Sequence, residues 1–327
     1  MRVIQVAQFG GPEVLVPVEV PDPVPGPGQA IIEVAAADVL FLDAMIRYGL
    51  AVDYFPLRPP YVPGNGVAGT VISVGSETDA SWVGGRVVAH TGGNGGYVGQ
   101  AVVSVEALVP VPEGLGLPEA AALLHDGATA LGLAESFPIR PGEQVLVVGA
   151  SGGLGILLVQ LAHAAGARVI GAARGPAKLE LAREAGADVV IDDSGPDWPK
   201  QVLDATGGKG ADLVFDNVGG PIGMAAFEVT AAGGRFSAHG APGGGFASIS
   251  PREAERRQVT VRGIEQVQFA PADLARLAGR ALAEAAAGRL RPVIGQTYPL
   301  ERAADAHAAI EARTVIAKTL LLIGSRP

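Results

Sequence analysis

Residues 144–165 read Q-V-L-V-V-G-A-S-G-G-L-G-I-L-L-V-Q-L-A-H-A-A, and this stretch decides the fold. A strand, Gln144–Val148, runs into a glycine turn, G-A-S-G-G-L-G (149–155), and directly into an apolar helix, Leu154–Ala165. Gly152 and Gly153 let the backbone approach a pyrophosphate that a Cβ would block. Gly155 lets the helix pack closely on its strand, and the helix N-terminus offers unpaired N–H groups and the positive end of a dipole. Glycine turns are common in a chain with 47 glycines, and a plain connection between strand and helix is the alternative. The position between a strand and a helix of one βαβ unit favours a dinucleotide site. Its cradle is Ala150, Ser151, Gly152, Gly153, Leu154 and Gly155.

The next strand indicates which dinucleotide. A unit that binds NAD usually ends this strand on Asp or Glu, which holds the ribose 2′-hydroxyl. Here R-V-I-G-A-A-R-G-P-A-K (168–178) puts Ala173 at the acidic position, Arg174 after it and Lys178 a helical turn later. A neutral residue followed by two cations suits a 2′-phosphate, so NADPH is expected over NADH. Two cations solvating a helix start would leave the missing carboxylate unexplained.

Outward from this unit, the sequence from about Pro118 alternates helices and strands. Helix 118–134 precedes the turn. After it come strand 168–172, helix 177–185, strand 188–191, helix 199–206, strand 213–215, helix 222–231 and strand 235–237. Such alternation means a parallel, doubly wound sheet. The first 120 residues instead carry short β-rich runs (3–6, 31–34, 67–74, 86–90, 97–105) broken by P-D-P-V-P-G-P-G (21–28) and T-G-G-N-G-G (91–96), the spacing of a small barrel or sandwich. An Ala-rich helix (272–287) leads to a β-like tail ending T-L-L-L-I (319–323), which has the character to return to the first domain.

Composition excludes several alternatives. The 327 residues suit two domains or one large one, and 48% hydrophobic against 17% charged residues rules out wholesale disorder. A net charge of −9 leaves no footprint for a phosphate backbone, so nucleic acid is not an expected partner. With no cysteine, disulfides, Fe–S clusters, Cys-based zinc sites and a cysteine nucleophile are excluded. The five histidines (90, 125, 163, 239, 307) show no metal-ligand spacing, and no metal site is expected. The N-terminus lacks a signal-peptide pattern, and Gln160, His163 and Arg168 interrupt the most apolar segment, so a cytoplasmic protein without membrane attachment is expected.

Almost the whole chain resembles the medium-chain dehydrogenases/reductases, in particular their zinc-free quinone oxidoreductase (zeta-crystallin-like) branch. The resemblance lies in F-G-G-P-E-V-L (9–15), P-G-P-G-Q-A (25–30), P-G-N-G-V-A-G (63–69), A-A-A-L-L-H-D-G-A-T-A (120–130), A-S-G-G-L-G (150–155) and G-A-D-V-V-I-D (186–192), in the family's order. It implies an α/β protein with a GroES-like β-barrel substrate domain (1–121, completed by about 290–327). It also implies an inserted Rossmann domain (122–289), with the nicotinamide in a cleft. At the three ligand positions of the zinc branch stand Leu40, Asn65 and Gly66. The implied chemistry is hydride delivery from NADPH to an acceptor already activated, a quinone or an α,β-unsaturated carbonyl. An enoyl-thioester or biosynthetic tailoring reductase, and a non-catalytic NADPH-binding protein, are the alternatives.

The remaining site residues follow from the resemblance and from a need for a donor to the acceptor oxygen. Tyr48 and Tyr54 are the expected donors, and Leu40 and Met45 join them as an apolar wall for a hydrophobic acceptor. Leu40 replaces the Asn of the family's Asn-x-x-Asp, Asp43 keeps its Asp, Met45 stands for a tyrosine and Asp193 for another. Thr129, Asn217, His239, Gly240 and Lys318 are expected around the cofactor, Thr129 also at the reacting end. The other four histidines read as structural. The family pairs edge strands, so a homodimer through residues 260–263 is expected.

Overall fold

The computed structural model describes residues 1–50 and 56–324. The chain divides into two compact units, Met1–Ala128 with Pro271–Pro327, and Thr129–Ala270. Residues 122–128 and 271–289, expected with the nucleotide-binding domain, thus fall in the first unit.

The first part of the chain forms β1 (Arg2–Val6), β2 (Leu15–Glu19), β3 (Gln29–Val39), α1 (Phe41–Tyr48), β4 (Gly66–Val74), β5 (Arg86–His90), β6 (Gln100–Ser104) and β7 (Val109–Pro110). Helix α2 (Leu117–Ser136) follows. Then come β8 (Gln144–Val148), α3 (Gly153–Ala164), β9 (Arg168–Ala173), α4 (Pro176–Glu184), β10 (Val189–Asp192) and α5 (Trp198–Ala205). β11 (Ala211–Asp216), α6 (Gly220–Glu228), β12 (Thr230–Ala238), α7 (Pro251–Arg256) and β13 (Thr260–Arg262) complete the alternation. The tail is α8 (Pro271–Ala286), β14 (Ile294–Pro299), α9 (Ala303–Glu311) and β15 (Lys318–Leu322).

In the first unit a seven-stranded sheet runs β14-β15-β3-β4-β5-β7, with β6 paired to β3. The tail does return: β15 pairs antiparallel with β3, Thr319 opposite Val39 and Leu322 opposite Ala36. The core is aliphatic, built on Ile4, Ile32, Val67, Val87 and Leu321, with Tyr97 wholly buried in it. Gly127 explains why α8 joins this unit. A Cβ there would lie 2.6 Å from that of Ala281, so only glycine lets the two helices come so close. Leu277, Ala278, Ala281 and Leu282 of α8 are buried.

α1 was not expected. Its N-terminus carries half of a capping box, in which the Asp43 carboxylate accepts the Leu40 N–H at 2.9 Å, and Gly49 (φ 78°) closes it in the left-handed region. Tyr48 is therefore the last residue of a helix and not part of a loop. The expected strand 97–105 is shorter, because Val98 makes only an isolated bridge to Val3 and regular pairing begins at Gln100.

The second unit holds six parallel strands in the order β10-β9-β8-β11-β12-β13. This is the doubly wound order in which the first strand is central and ligands gather at the carboxyl ends of the strands. β13 is an edge, as the segment 260–263 was read. No helix among the described residues is long and apolar enough to cross a membrane.

Candidate active site

In the second unit β8 ends at Gly149, whose φ of 69° turns the chain out of the sheet at no steric cost. The turn is pinned by Ala150 N–H to the Ala172 carbonyl (3.0 Å) and Gly152 N–H to the Gly149 carbonyl (3.1 Å). Gly152 precedes the first helical residue in extended conformation (φ −77°, ψ 165°), and no side chain caps the helix. The first N–H groups of α3 are left for a ligand. A Cβ on Gly155 would run into the Gly149 carbonyl and lie 2.9 Å from the Ala150 Cα, so this glycine seats the helix on the turn. A Cβ on Gly152 would meet only the Gly149 carbonyl oxygen, at an ordinary 3.5 Å, so internal packing does not require that glycine. These residues fit a bound pyrophosphate.

The end of β9 is neutral and closed. Ala173 is buried, and Arg174 follows with its guanidinium about half exposed. Its Nε lies 3.4 Å from a carboxylate oxygen of Asp193, a residue just past β10. Burial raises the Asp193 pKa, while the charges of Arg174 and Lys178 work against that rise. Lys178 lies on α4, whose N-terminus is set by Gly175 at φ 80°. The acidic side chain beside the end of β9 thus comes from the residue after β10 and already has a cation.

Asn217, His239 and Gly240 form one constellation. The Asn217 Nδ2 donates to the Val148 carbonyl at 2.7 Å, so its Oδ1 faces His239 Nε2 at 2.8 Å and that nitrogen carries the proton. His239 Nδ1 then accepts from the Ser237 hydroxyl, also at 2.8 Å. Burial pushes the imidazole pKa down to about 4, and both its nitrogens are engaged. This chain ties the ends of β8, β11 and β12 together and fixes the amide of Asn217. Gly240 is demanded by geometry, since a Cβ there would lie 2.3 Å or less from the Asn217–Val218 peptide. Beneath it the buried Asp216 accepts the N–H groups of Val218 (3.0 Å) and Gly219 (2.8 Å). Burial nonetheless raises its pKa to about 6. Thr129, half-buried in α2, is the first residue of this unit.

Of the residues expected at the substrate, Leu40, Met45 and Tyr48 are described, and each has partners within the first unit. Leu40 caps α1, and Met45 packs against the apolar core. The Tyr48 hydroxyl donates to Glu311 at 3.1 Å, and its ring lies 4.5 Å from the buried Arg47 guanidinium, which also pairs with Glu311. That carboxylate engages the one proton Tyr48 could give. Tyr54 lies outside the described residues. Asp43 serves the capping box and accepts from the buried Tyr97 hydroxyl at 3.2 Å; burial raises its pKa to about 6. Lys318 is buried, and its ammonium lies 3.2 Å from both Asp38 and Asp126.

That pairing leads to a cluster the sequence reading missed. Asp38, 1% exposed on β3, also accepts from His125 Nδ1 at 2.8 Å. The His90 ring stands edge-on to His125 with centroids 4.4 Å apart. Asn65 Oδ1 accepts the Gly93 N–H at 2.6 Å, which leaves Asn65 Nδ2 facing His125 Nε2 at 3.4 Å. A signal existed in the sequence: an aspartate inside the apolar strand A-A-A-D-V has to be paired when buried. Among the described residues no group of three His, Asp or Glu side chains is arranged to hold a metal.

A parallel sheet of this order with its glycine turn, joined to a GroES-like β unit, defines a dinucleotide-dependent oxidoreductase of the medium-chain type. The comparisons agree. Residues 26–113 match the alcohol dehydrogenase GroES-like domain, and residues 153–281 match the zinc-binding dehydrogenase family. The chain is 33% identical to the quinone oxidoreductase of Rattus norvegicus over 314 residues, 95% of this chain and 94% of the relative. It is 32% identical to that of Pseudomonas aeruginosa over 323 residues, 98% of each chain. Among solved structures, Escherichia coli quinone oxidoreductase complexed with NADPH superposes with a TM-score of 0.91 at 28% identity, covering 98% of this chain and 100% of that one. The chain belongs to the quinone oxidoreductase branch of the medium-chain dehydrogenases/reductases.

Proposed function

We propose that this protein is an NADPH-dependent, metal-independent reductase of quinones or α,β-unsaturated carbonyls. The observation that carries the reading is the end of β9: a buried, neutral Ala173 followed by a half-exposed Arg174, below a glycine turn with an uncapped helix. The α3 N-terminus would hold the pyrophosphate, Arg174 and Lys178 the 2′-phosphate, and the fixed amide of Asn217 would lie on the binding edge of the sheet. NADPH, when bound, supplies the hydride. His239 and Ser237 act through Asn217, whose amide they hold in one orientation.

Metal independence is supported by chemistry at the ligand positions. Leu40 and Gly66 have no ligating side chain, the chain has no cysteine, and Asp38 is already engaged by an ammonium and an imidazole. The relatives' names support a quinone as acceptor. The same reading includes a cytoplasmic homodimer paired through β13. The test is NADPH depletion with a panel of quinones, enones and an enoyl-thioester. Turnover confined to the thioester, or none with any acceptor, would overturn it.

A further inference from the structure

Two neighbouring aspartates close β10, and they differ in their surroundings. Asp192 is partly exposed, and its carboxylate accepts the N–H groups of Ser194 (3.0 Å) and Gly175 (3.3 Å). The Asp193 side chain is only 4% exposed. Its Oδ1, 3.4 Å from Arg174 Nε, is buried with no hydrogen-bond partner among the described residues. We propose that Asp193 makes cofactor selection depend on pH: it takes up a proton when a 2′-phosphate binds Arg174 and Lys178, and stays ionised when NADH binds. The inference rests on the NADPH reading above and names a residue through which that site discriminates.

Three observations carry it. First, the carboxylate and an incoming phosphate share one cation. Arg174 is about half exposed, so it can reach a ligand while its Nε faces Asp193. An anion held by that guanidinium lies within roughly 10 Å of the carboxylate, a distance over which charges still interact at 0.1 M salt. Second, the carboxylate is enclosed and its Oδ1 has no hydrogen bond, so its charge depends on the cations beside it. Third, Asp193 is tied to the position that decides between dinucleotides. Its N–H donates to the Ala173 carbonyl at 3.3 Å, and Ala173 itself is buried and has no polar side chain to share the charge.

The charged groups that act on Asp193 are Arg174 after β9, Lys178 on α4 and Asp192 at the end of β10. Burial raises the Asp193 pKa and Asp192 adds to the rise, while Arg174 and Lys178 work against it. Asp192 stays ionised, its pKa lowered by its bonds from Ser194. A 2′-phosphate brings close to two negative charges and engages the two cations that had opposed protonation. The balance then tips. The carboxylate takes one proton from solvent and becomes a neutral acid, which removes its repulsion of the phosphate. NADH has a hydroxyl at this position and brings no charge, so Asp193 keeps its own. NADPH therefore binds together with a proton, and its advantage over NADH grows as the pH falls toward neutrality.

The test is calorimetric titration of the full chain with NADPH and with NADH, without any acceptor, in two buffers of unequal ionisation enthalpy. A pH of ~7.5 lies well above the ~6 at which a phosphate takes its own last proton. Wild type should take up a measurable fraction of a proton with NADPH and none with NADH, and Asp193→Asn should abolish the uptake. Between pH 7 and 8 the wild-type Kd for NADPH should rise by ~3- to 10-fold, tenfold being the limit for one whole proton, while that of Asp193→Asn should change by less than about 1.5-fold. No uptake with NADPH, or the same uptake with NADH or in Asp193→Asn, overturns the proposal. Arg174→Ala distinguishes this failure from failure of the NADPH reading. If it weakens NADPH alone while wild type takes up no proton, only the coupling through Asp193 is wrong. If it leaves both dinucleotides bound as before, the 2′-phosphate does not meet this cation and both readings fall. Should Asp193→Asn not fold, the wild-type difference between NADPH and NADH decides.

Discussion

Replacing Arg174 and Lys178 together by alanine should separate the two dinucleotides. A hydrogen bond to a charged group contributes ~1.5–3 kcal/mol, and the structure places Arg174 at the lower end of that range. Its guanidinium is 46% exposed and already shared with Asp193 at 3.4 Å, so solvent and the carboxylate both weaken its hold on a phosphate. Lys178 adds less, since an ammonium cannot grip a phosphate with two parallel bonds. A loss of about 2 kcal/mol follows, roughly 30-fold in Kd for NADPH, while NADH should change by less than about twofold. Titration by nicotinamide fluorescence at fixed ionic strength reads both constants. Asp193→Asn sharpens the result, because removing the carboxylate frees Arg174 and should tighten NADPH alone. Equal losses for both cofactors in the double variant would refute the reasoning. So would a loss of NADH in Asp193→Asn, which would make that carboxylate a ribose ligand.

Three further outcomes are expected. Prolonged chelation should leave NADPH turnover unchanged, and elemental analysis should find no stoichiometric zinc; one zinc per chain would place the protein with the metal-dependent branch. Light scattering at low micromolar concentration should give about 66 kDa, twice the 33.0 kDa chain, with lysine at Val261 of the β13 edge shifting the value toward the monomer; a wild-type monomer would contradict edge pairing. His239 should make the fold sensitive to acid: its folded pKa of about 4 lies below the unfolded ~6.5, so its stability contribution is complete above 6.5 and is lost as pH falls toward 4. Between pH 7 and 5 the advantage of wild type over His239→Gln in urea unfolding should shrink by about 2 kcal/mol, and a gap independent of pH would rule this out.

The legible and illegible parts of the sequence differ in how their signals arise. The turn at 149–155 could be read because its tightest requirement is local: Gly155 answers to the Gly149 carbonyl six residues before it. The alternation of the second unit was legible for the same reason, and helix 272–287 fell within one residue of α8. The boundary between units was not, since α8 joins the first unit through Gly127 and Ala281, far apart in sequence. Short α1 escaped because its capping box begins at Leu40, whose side chain gives no capping signal, and only Asp43 marks it. The buried cluster around Asp38 draws on β3, the loop before β4, β5, α2 and β15, so no window of sequence contains it. Tyr48 shows the reverse error. An aromatic hydroxyl in a promising segment suggested a proton donor, but Glu311, 263 residues away, accepts its proton.

The central claim, that this chain passes hydride from NADPH to a quinone without a metal, is tested most directly by one assay. Purified, chelator-treated protein is mixed with NADPH and an ortho- or para-quinone, and absorbance at the nicotinamide band is followed. The account predicts quinone-dependent NADPH loss that saturates with both reactants and is much weaker with NADH. NADPH that binds with normal affinity but is not consumed with any quinone or enone would contradict it, and would make the chain a dinucleotide-binding protein with no reductase activity.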